Sequence, residues 1–267
     1  MHEATDSSSW SGPDRATAAR APQYVARMTD VTSSRVVLEP AVRTLAAATA
    51  AGALCGVLVG GVGGRIAMSV LAGLNPEDAG VISDDGFEMG RVTFGGTAQL
   101  LLSTCQFGLV GALIYLGLRH LAIGPRWVRI ASLTAGGTVV FGALIVHDGV
   151  DFTLLEPSWL PIALFLAIPA LYIPAVALLT ERWERPGSWF ATADVRRVCA
   201  VLILWLATGV LLPVVALLLG AALLVRLVVG RLSPGSRSVA AWAARGVLGV
   251  VGVVALLDLV ADLGTYA

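Results

Sequence analysis

The sequence lacks lysine altogether, and all eighteen of its basic residues are arginine. A phosphate-binding loop of the Gly-x-x-x-x-Gly-Lys-Ser/Thr type is therefore excluded, because it requires a lysine. Charged residues make up only 13% of the chain, whereas soluble proteins carry about 25%. Eighteen acidic residues balance the arginines, so the chain has no net basic field of the kind that attracts nucleic acid. These absences argue against a soluble protein and against a nucleic-acid partner.

Cysteine and histidine are also scarce, with three residues of each. Cys55, Cys105 and Cys199 each lie within an apolar run and form no Cys-x-x-Cys pair, so we interpret them as small buried hydrophobic residues. No Gly-x-Ser-x-Gly or His-Glu-x-x-His motif occurs. The sequence therefore predicts no metal site and no cofactor, assigns no catalytic residue, and favours a protein that is not an enzyme.

What the chain has in abundance is apolar sequence, with 57% hydrophobic residues and a mean hydropathy of +0.82. Several apolar runs reach the length of about 20 residues that a transmembrane helix needs. Such runs are too many to share one soluble core, so the lipid bilayer must cover them. The sequence predicts an all-α, polytopic transmembrane helix bundle in the cell membrane, whose first four spans are about 44–64, 97–118, 127–147 and 159–180.

The chain divides into a polar tail and an apolar remainder. Residues 1–38 have no sustained apolar period and are predicted to be a disordered cytoplasmic tail. Residues 39–267 are predicted to form a single transmembrane domain. Arg27, Arg35 and Arg43 precede the first span, and a mainly acidic loop follows it. Because cytoplasmic loops are enriched in arginine, the amino terminus is predicted to be cytoplasmic.

The number of spans depends on the apolar run at 198–230. As one straight helix this run would extend about 50 Å, well beyond a hydrocarbon core of about 30 Å. Arginines flank it on both sides, so both flanks favour the cytoplasm. A hairpin of helices at about 193–211 and 213–231, followed by a last span at 242–262, gives seven spans and an exterior carboxyl terminus. One kinked helix instead gives six spans and a cytoplasmic carboxyl terminus.

A glycine repeat occupies the first span. Gly52, Gly56, Gly60 and Gly64 recur every four residues and lie near one face of a helix. Small residues allow helix backbones to approach closely in lipid. The repeat predicts close packing within the chain, or alternatively a face for a homo-oligomer or another membrane protein.

Arg65 directly follows the last of these glycines, near the predicted exterior end of the first span. Its guanidinium stays charged, so it needs an anionic partner or water. We predict a polar cluster that binds a cation, relays protons or recognises an anion, or that clamps the bundle together. The other candidate members of this cluster are Asp84, Asp85, His147, Asp148 and Asp151. Asp258 and Asp262 join them only in the seven-span arrangement.

The loop between the first two spans contains a turn signal. Asp85-Gly86 is typical of a two-residue hairpin turn, and extended residues flank it on both sides. The sequence predicts a small exterior loop or β-hairpin that caps the bundle beside Arg65.

Three short segments carry a resemblance to a known group. Gly64-Arg65-Ile66-Ala67-Met68, Ser83-Asp84-Asp85-Gly86 and Gly95-Gly96-Thr97 resemble a pattern in uncharacterised multi-pass membrane proteins of actinobacteria. The resemblance spans about 60–160 and implies an integral membrane bundle. It carries no activity and no catalytic or binding residue to this chain.

Three functional hypotheses follow. The first is a membrane-embedded binding or transport-related bundle with an exterior polar cluster around Arg65, for a small-molecule or ion ligand that the sequence does not identify. The second is a non-catalytic structural or assembly subunit of a membrane complex. The third and least supported is an intramembrane enzyme that uses His147 and its neighbouring carboxylates.

Overall fold

The structure of the protein is a computed structural model. It describes residues 39–83, 86, 88–146, 154–207, 212–231 and 233–265. The predicted tail, residues 1–38, lies outside the described residues. The chain divides into two compact units between Val42 and Arg43, and every contact discussed below lies within the second unit, Arg43–Ala267.

The described residues form a helical bundle. Its helices are α1 (Glu39–Leu74), α2 (Phe94–Leu118), α3 (Arg126–Ile145), α4 (Trp159–Trp183), the short α5 (Trp189–Thr192), α6 (Val195–Ala207), α7 (Leu212–Arg231) and α8 (Pro234–Thr265). Within the described part of the chain, five helices are long and apolar enough to cross a membrane, namely α1 to α4 and α8. The predicted all-α class is confirmed, and these helices are consistent with a membrane protein.

The bundle has two distinguishable ends. At one of them, called the basic end here, α2 and α4 finish and α3 begins, and Arg119 of the loop after α2 forms an ion pair of 2.8 Å with Glu184. At the other, called the loop end, α1 and α3 finish and α4 begins. There the side-chain oxygen of Asn75 accepts a hydrogen bond of 2.8 Å from the backbone N–H of Glu156.

Helix α8 runs in the same direction as α3. At the basic end, the Arg245 guanidinium Nε donates a hydrogen bond of 2.9 Å to the Leu121 carbonyl oxygen. Further along α8, Leu259 packs with Val146 and Ile162 at the loop end. The chain therefore leaves α4 and joins α8 at the same end of the bundle, with α6 and α7 between them.

Helices α1 and α2 approach so closely that their glycines are in backbone contact. A Cβ atom added to Gly52 would overlap the Gly108 carbonyl oxygen, and one added to Gly56 would overlap the Thr104 carbonyl oxygen. Conversely, a Cβ on Gly108 would lie 2.9 Å from the Gly56 Cα. Since real Cβ atoms do not come so near to backbone atoms, only glycine permits this approach. The predicted close packing is thus found within the chain for the first half of the repeat.

A π-helix at Gly56–Val62 changes the direction in which the second half of the repeat faces. In a π-helix the backbone hydrogen bonds join residues five apart, so each turn holds more residues than in an α-helix. As a result, two consecutive positions, Gly60 and Gly61, both face Thr104 of α2. A Cβ on Gly64 would meet no atom within 4 Å, although Gly64 is buried. The four-residue spacing predicted one shared face, and the π-helix turns Gly64 away from it.

Candidate functional site

Arg65 lies within α1 rather than at its end. The helix continues to Leu74, beyond the predicted end of the first span at residue 64, because the sequence after Arg65 is apolar apart from Ser69. Arg65 is therefore about 14 Å before the last residue of the helix. Its side chain is half-buried, and its Nε atom is shielded from solvent. A permanently charged guanidinium thus lies against the bundle, three residues after the π-helix.

A cavity of 320 Å³ adjoins Arg65 at the loop end of the bundle. Its walls come from α1, from the loop after α1 and from the beginning of α4. A volume of about 300 Å³ is at the lower end of the range for small-molecule pockets, which combine apolar walls with a few polar groups. The polar lining residues are Arg65, Ser69, Ser83, Glu88 and Arg91, and the larger apolar ones are Met68, Leu71, Met89, Val92, Leu155 and Phe165.

The loop after α1 folds back on itself to form part of this cavity. Ile82 and Glu88 form one antiparallel bridge, and the Gly86 N–H donates a hydrogen bond of 2.8 Å to the Ser83 carbonyl oxygen. Gly86 has a φ of +79°, a conformation that favours glycine. The described residues of this loop form a bridge and a turn, so the predicted pair of strands stays a prediction.

Asn75 holds the two loops of the loop end together. Its side chain is 1% exposed and makes two hydrogen bonds. The Nδ2 atom donates to the Leu71 carbonyl oxygen at 2.9 Å, and the Oδ1 atom accepts from the Glu156 N–H at 2.8 Å. The sequence analysis missed this residue. Asn-Pro directly after an apolar run is a helix-stop signal that marks the position, but it does not reveal the partner loop.

The charges that line the cavity differ in their exposure. Arg91 and Glu88 form an ion pair of 2.7 Å, with side chains that are 66% and 43% exposed. The Glu88 carboxylate raises the pKa of the Arg91 guanidinium through their hydrogen bond, but a pair this exposed stabilises the fold little. Arg65 is the more buried of the two lining arginines, so it faces the less hydrated part of the cavity.

Most of the predicted partners of Arg65 lie outside the described residues, namely Asp84, Asp85, His147, Asp148 and Asp151. Their membership of the cluster stays a prediction. Within the described part of the chain, no group of three His, Cys, Asp or Glu side chains is arranged to hold a metal ion.

The two remaining predicted members, Asp258 and Asp262, lie near the loop end of α8. Asp258 is exposed and Asp262 is half-buried. Between them, Leu259 belongs to an apolar cluster against which Phe165 packs, and Phe165 also lines the Arg65 cavity. Through Leu259 and Phe165, this part of α8 therefore lies behind one wall of the Arg65 cavity. This arrangement agrees with the direction of α8 in the seven-span prediction.

A second polar site occupies the basic end and was missed by the sequence analysis. Arg119 Nη1 donates to both carboxylate oxygens of Glu184, at 2.8 and 2.9 Å. Arg126 Nε donates to Glu181 Oε2 at 2.5 Å. Both ion pairs are largely buried, and they join the loop between α2 and α3 to the last turn of α4. The signal was present in the sequence, because Glu181 and Glu184 are three residues apart on one helix face and are surrounded by arginines.

A cavity of 280 Å³ lies beside these ion pairs. Four of its eight lining residues are charged, whereas only three of the fourteen residues that line the Arg65 cavity are charged. Its lining residues are Tyr115, Arg119, His120, Arg129, Ile130, Leu133, Glu181 and Glu184. The bundle thus has a polar cavity near each of its two ends.

Comparison with known proteins gives no family and no activity. No protein-family model, no curated protein and no solved structure matches the chain.

Proposed function

We propose that the chain is an integral protein of the cell membrane, with its amino terminus and its basic end in the cytoplasm. Five apolar helices of sufficient length support the membrane location. The orientation is supported by Arg119, Arg126 and Arg129, which cluster at the basic end, since arginine is enriched on the cytoplasmic side. Arg43, near the start of α1, donates a hydrogen bond of 2.7 Å to the Phe190 carbonyl oxygen just after α4, which supports a start of α1 at the same end.

We further propose seven spans. If the segment between α4 and α8 crossed the membrane once, α8 would begin at the loop end. Instead, the hydrogen bond from Arg245 to Leu121 joins the first half of α8 to the basic end. This contact supports an even number of crossings between α4 and α8, and the pair of helices α6 and α7 would provide two.

A reporter that is active only outside the cytoplasm tests this topology. Fused after Ala267, it should be active, and fused after Gly124, in the loop between α2 and α3, it should be inactive. The second fusion is the matched control, because it places the reporter at the basic end. Cytoplasmic readout from both fusions would reject the seven-span arrangement.

Functionally, we propose a binding or transport-related protein that takes a small amphiphilic anion into the Arg65 cavity. The observation that carries this proposal is the half-buried guanidinium of Arg65 on a 320 Å³ cavity with apolar walls. Guanidinium groups bind carboxylates and phosphates through paired, charge-assisted hydrogen bonds. The hydroxyls of Ser69 and Ser83 add neutral hydrogen-bonding groups, and Met68 and Phe165 suit an apolar substituent.

The test is binding and uptake with the full-length protein. A panel of small carboxylates and phosphomonoesters is screened for ligands that raise the midpoint of thermal unfolding, and any hit is assayed for uptake in vesicles. Arg65→Ala should abolish the stabilisation, and Arg65→Lys should restore part of it because the charge returns. Arg185→Ala removes an exposed arginine remote from the cavity and is the matched control. Equal binding by the wild type and Arg65→Ala would reject the proposal.

The same preparation tests the assembly hypothesis. Purification in mild detergent with a stoichiometric second protein, together with no ligand in the panel, would favour a structural or assembly subunit. Association through the glycine face stays a prediction. In this chain Gly52, Gly56 and Gly60 all face α2, so Gly64 is the one glycine of the repeat that is not already packed against that helix.

A further inference from the structure

The ion pairs beside the basic-end cavity use two of the three arginines Arg119, Arg126 and Arg129. Arg119 binds Glu184 and Arg126 binds Glu181, so each of the two carboxylates has its own arginine. Arg129 also lines the cavity and is half-buried. Among the residues that the structure describes, its guanidinium has no hydrogen-bond or ion-pair partner.

The cavity surroundings favour an anion over a cation. Arginines already bind both oxygens of Glu184, at 2.8 and 2.9 Å, and Oε2 of Glu181, at 2.5 Å. The cavity also adjoins the first two turns of α3 through Arg129, Ile130 and Leu133. The partial positive charge at the amino-terminal end of this helix therefore lies near that of Arg129.

We propose that this cavity binds a phosphate group, with Arg129 as its main ligand. A guanidinium presents a planar set of N–H donors that matches two phosphate oxygens at once. Basic pockets between transmembrane helices on the cytoplasmic side are suited to anionic lipid headgroups. Ile130 and Leu133 supply apolar surface beside the charge, and Trp127 nearby is 65% exposed, as expected for a side chain at the lipid interface.

The phosphate has two possible sources, an anionic lipid headgroup or a free phosphate in the cytoplasm. Both would use the same charge-assisted hydrogen bonds to Arg129. They differ in whether the bound phosphate is attached to acyl chains. This proposal does not depend on the ligand of the Arg65 cavity, which lies at the other end of the bundle.

The experiment uses the full-length protein in a neutral detergent. It is titrated separately with phosphatidylglycerol in mixed micelles, with phosphatidylcholine and with inorganic phosphate, and the midpoint of thermal unfolding is followed. Saturable stabilisation by phosphatidylglycerol alone assigns a lipid headgroup, and stabilisation by inorganic phosphate assigns a free phosphate. Phosphatidylcholine, whose headgroup has no net charge, should give no saturable effect.

Three variants locate the site. Arg129→Gln should raise the apparent Kd about tenfold, equal to about 1.4 kcal/mol, whereas Arg129→Lys should bind more tightly than Arg129→Gln. Arg196→Gln removes the same charge from an exposed position on α6 and should bind as the wild type does. Unchanged affinity in Arg129→Gln would overturn the proposal. If Arg129→Gln does not fold, the wild type alone decides, because equal stabilisation by all three ligands, or by none, also overturns it.

Discussion

Two glycine contacts in this bundle differ in what surrounds the glycine. Between α1 and α2, the nearest neighbours of Gly52 and Gly108 are backbone atoms. Where α3 meets α4 and α8, the neighbours of Gly142 are the terminal methyl groups of Leu166 and Leu259. Backbone cannot withdraw without moving a helix, whereas a leucine changes its rotamer.

This difference shows which part of the bundle fixes the helix positions. In the most apolar 18-residue stretch of each helix, 61% of the residues of α1 are buried, against 6% of those of α8. The α1–α2 pair is therefore the more tightly packed part of the structure, and α8 is an outer helix with most of its surface exposed. A graded set of substitutions tests this comparison.

The largest effect is expected at the α1–α2 contact. Gly108→Ala would place a Cβ against the Gly52 carbonyl oxygen and 2.9 Å from the Gly56 Cα, so the two helices must separate. We expect a loss of about 3 kcal/mol or more in the free energy of unfolding, the upper end of the range for overpacking. Denaturant titration of the detergent-solubilised protein measures it.

Gly117→Ala is the control for that substitution. Gly117 lies on the same helix, and a Cβ there would meet no atom within 4 Å. The stability of this variant should equal or exceed that of the wild type. Equal losses in Gly108→Ala and Gly117→Ala would contradict the role assigned to the backbone contact.

A smaller effect is expected where α4 joins this pair. The Tyr172 hydroxyl donates a hydrogen bond of 2.6 Å to the Gly108 carbonyl oxygen. Tyr172→Phe removes this bond and keeps the ring, so the free energy of unfolding should fall by about 1 kcal/mol. The same titration detects the change, and a wild-type midpoint would mean that the bond adds no net stability.

Gly142→Ala probes the contact of α3 with α4 and α8 and should have a still smaller effect. Its Cβ would meet Leu166 Cδ2 at 2.5 Å and Leu259 Cδ2 at 3.3 Å, and both are ends of flexible side chains. The loss should stay below about 1 kcal/mol, since alanine also favours the helix more than glycine does. A loss as large as that of Gly108→Ala would show that these two leucines are held as rigidly as the backbone contact between α1 and α2.

The smallest effect is expected on the exposed side of α8. A Cβ on Gly249 would meet no atom within 4 Å, so Gly249→Ala should leave stability unchanged or raise it by up to about 1 kcal/mol. Clear destabilisation in detergent would indicate that this face contacts another part of the assembly. Cross-linking of the wild type would then identify the contact.

The positions of the helices were largely predictable from the sequence. The boundaries of α3 and α4 follow from apolar length and from the arginines at their ends, which depend only on local composition. The arginines on both flanks of 198–230 favoured a return of the chain to its starting end, with one kinked helix as the alternative. The structure describes α6 and α7 in that interval, and the number of spans stays a prediction.

Contacts between helices were less predictable, because they depend on rotation about the helix axis. A four-residue spacing puts Gly64 and Gly52 on one face only if the helix is an α-helix throughout, and the π-helix breaks that condition. The basic-end site was missed for a different reason. In the sequence, Glu181 and Glu184 lie among more numerous arginines, so the segment counts as basic. Only the structure shows that each carboxylate binds its own arginine.

The π-helix at Gly56–Val62 divides α1 into two parts that differ in their rotation about the helix axis. Before it, the helix presents its glycines to α2, and after it the same helix presents Arg65 to a cavity. Deletion of one residue within this segment would rotate everything that follows by about 100° and would turn Arg65 away from the cavity without altering its chemistry. The length of the chain between Gly56 and Arg65 is therefore as much a part of the candidate site as the arginine itself.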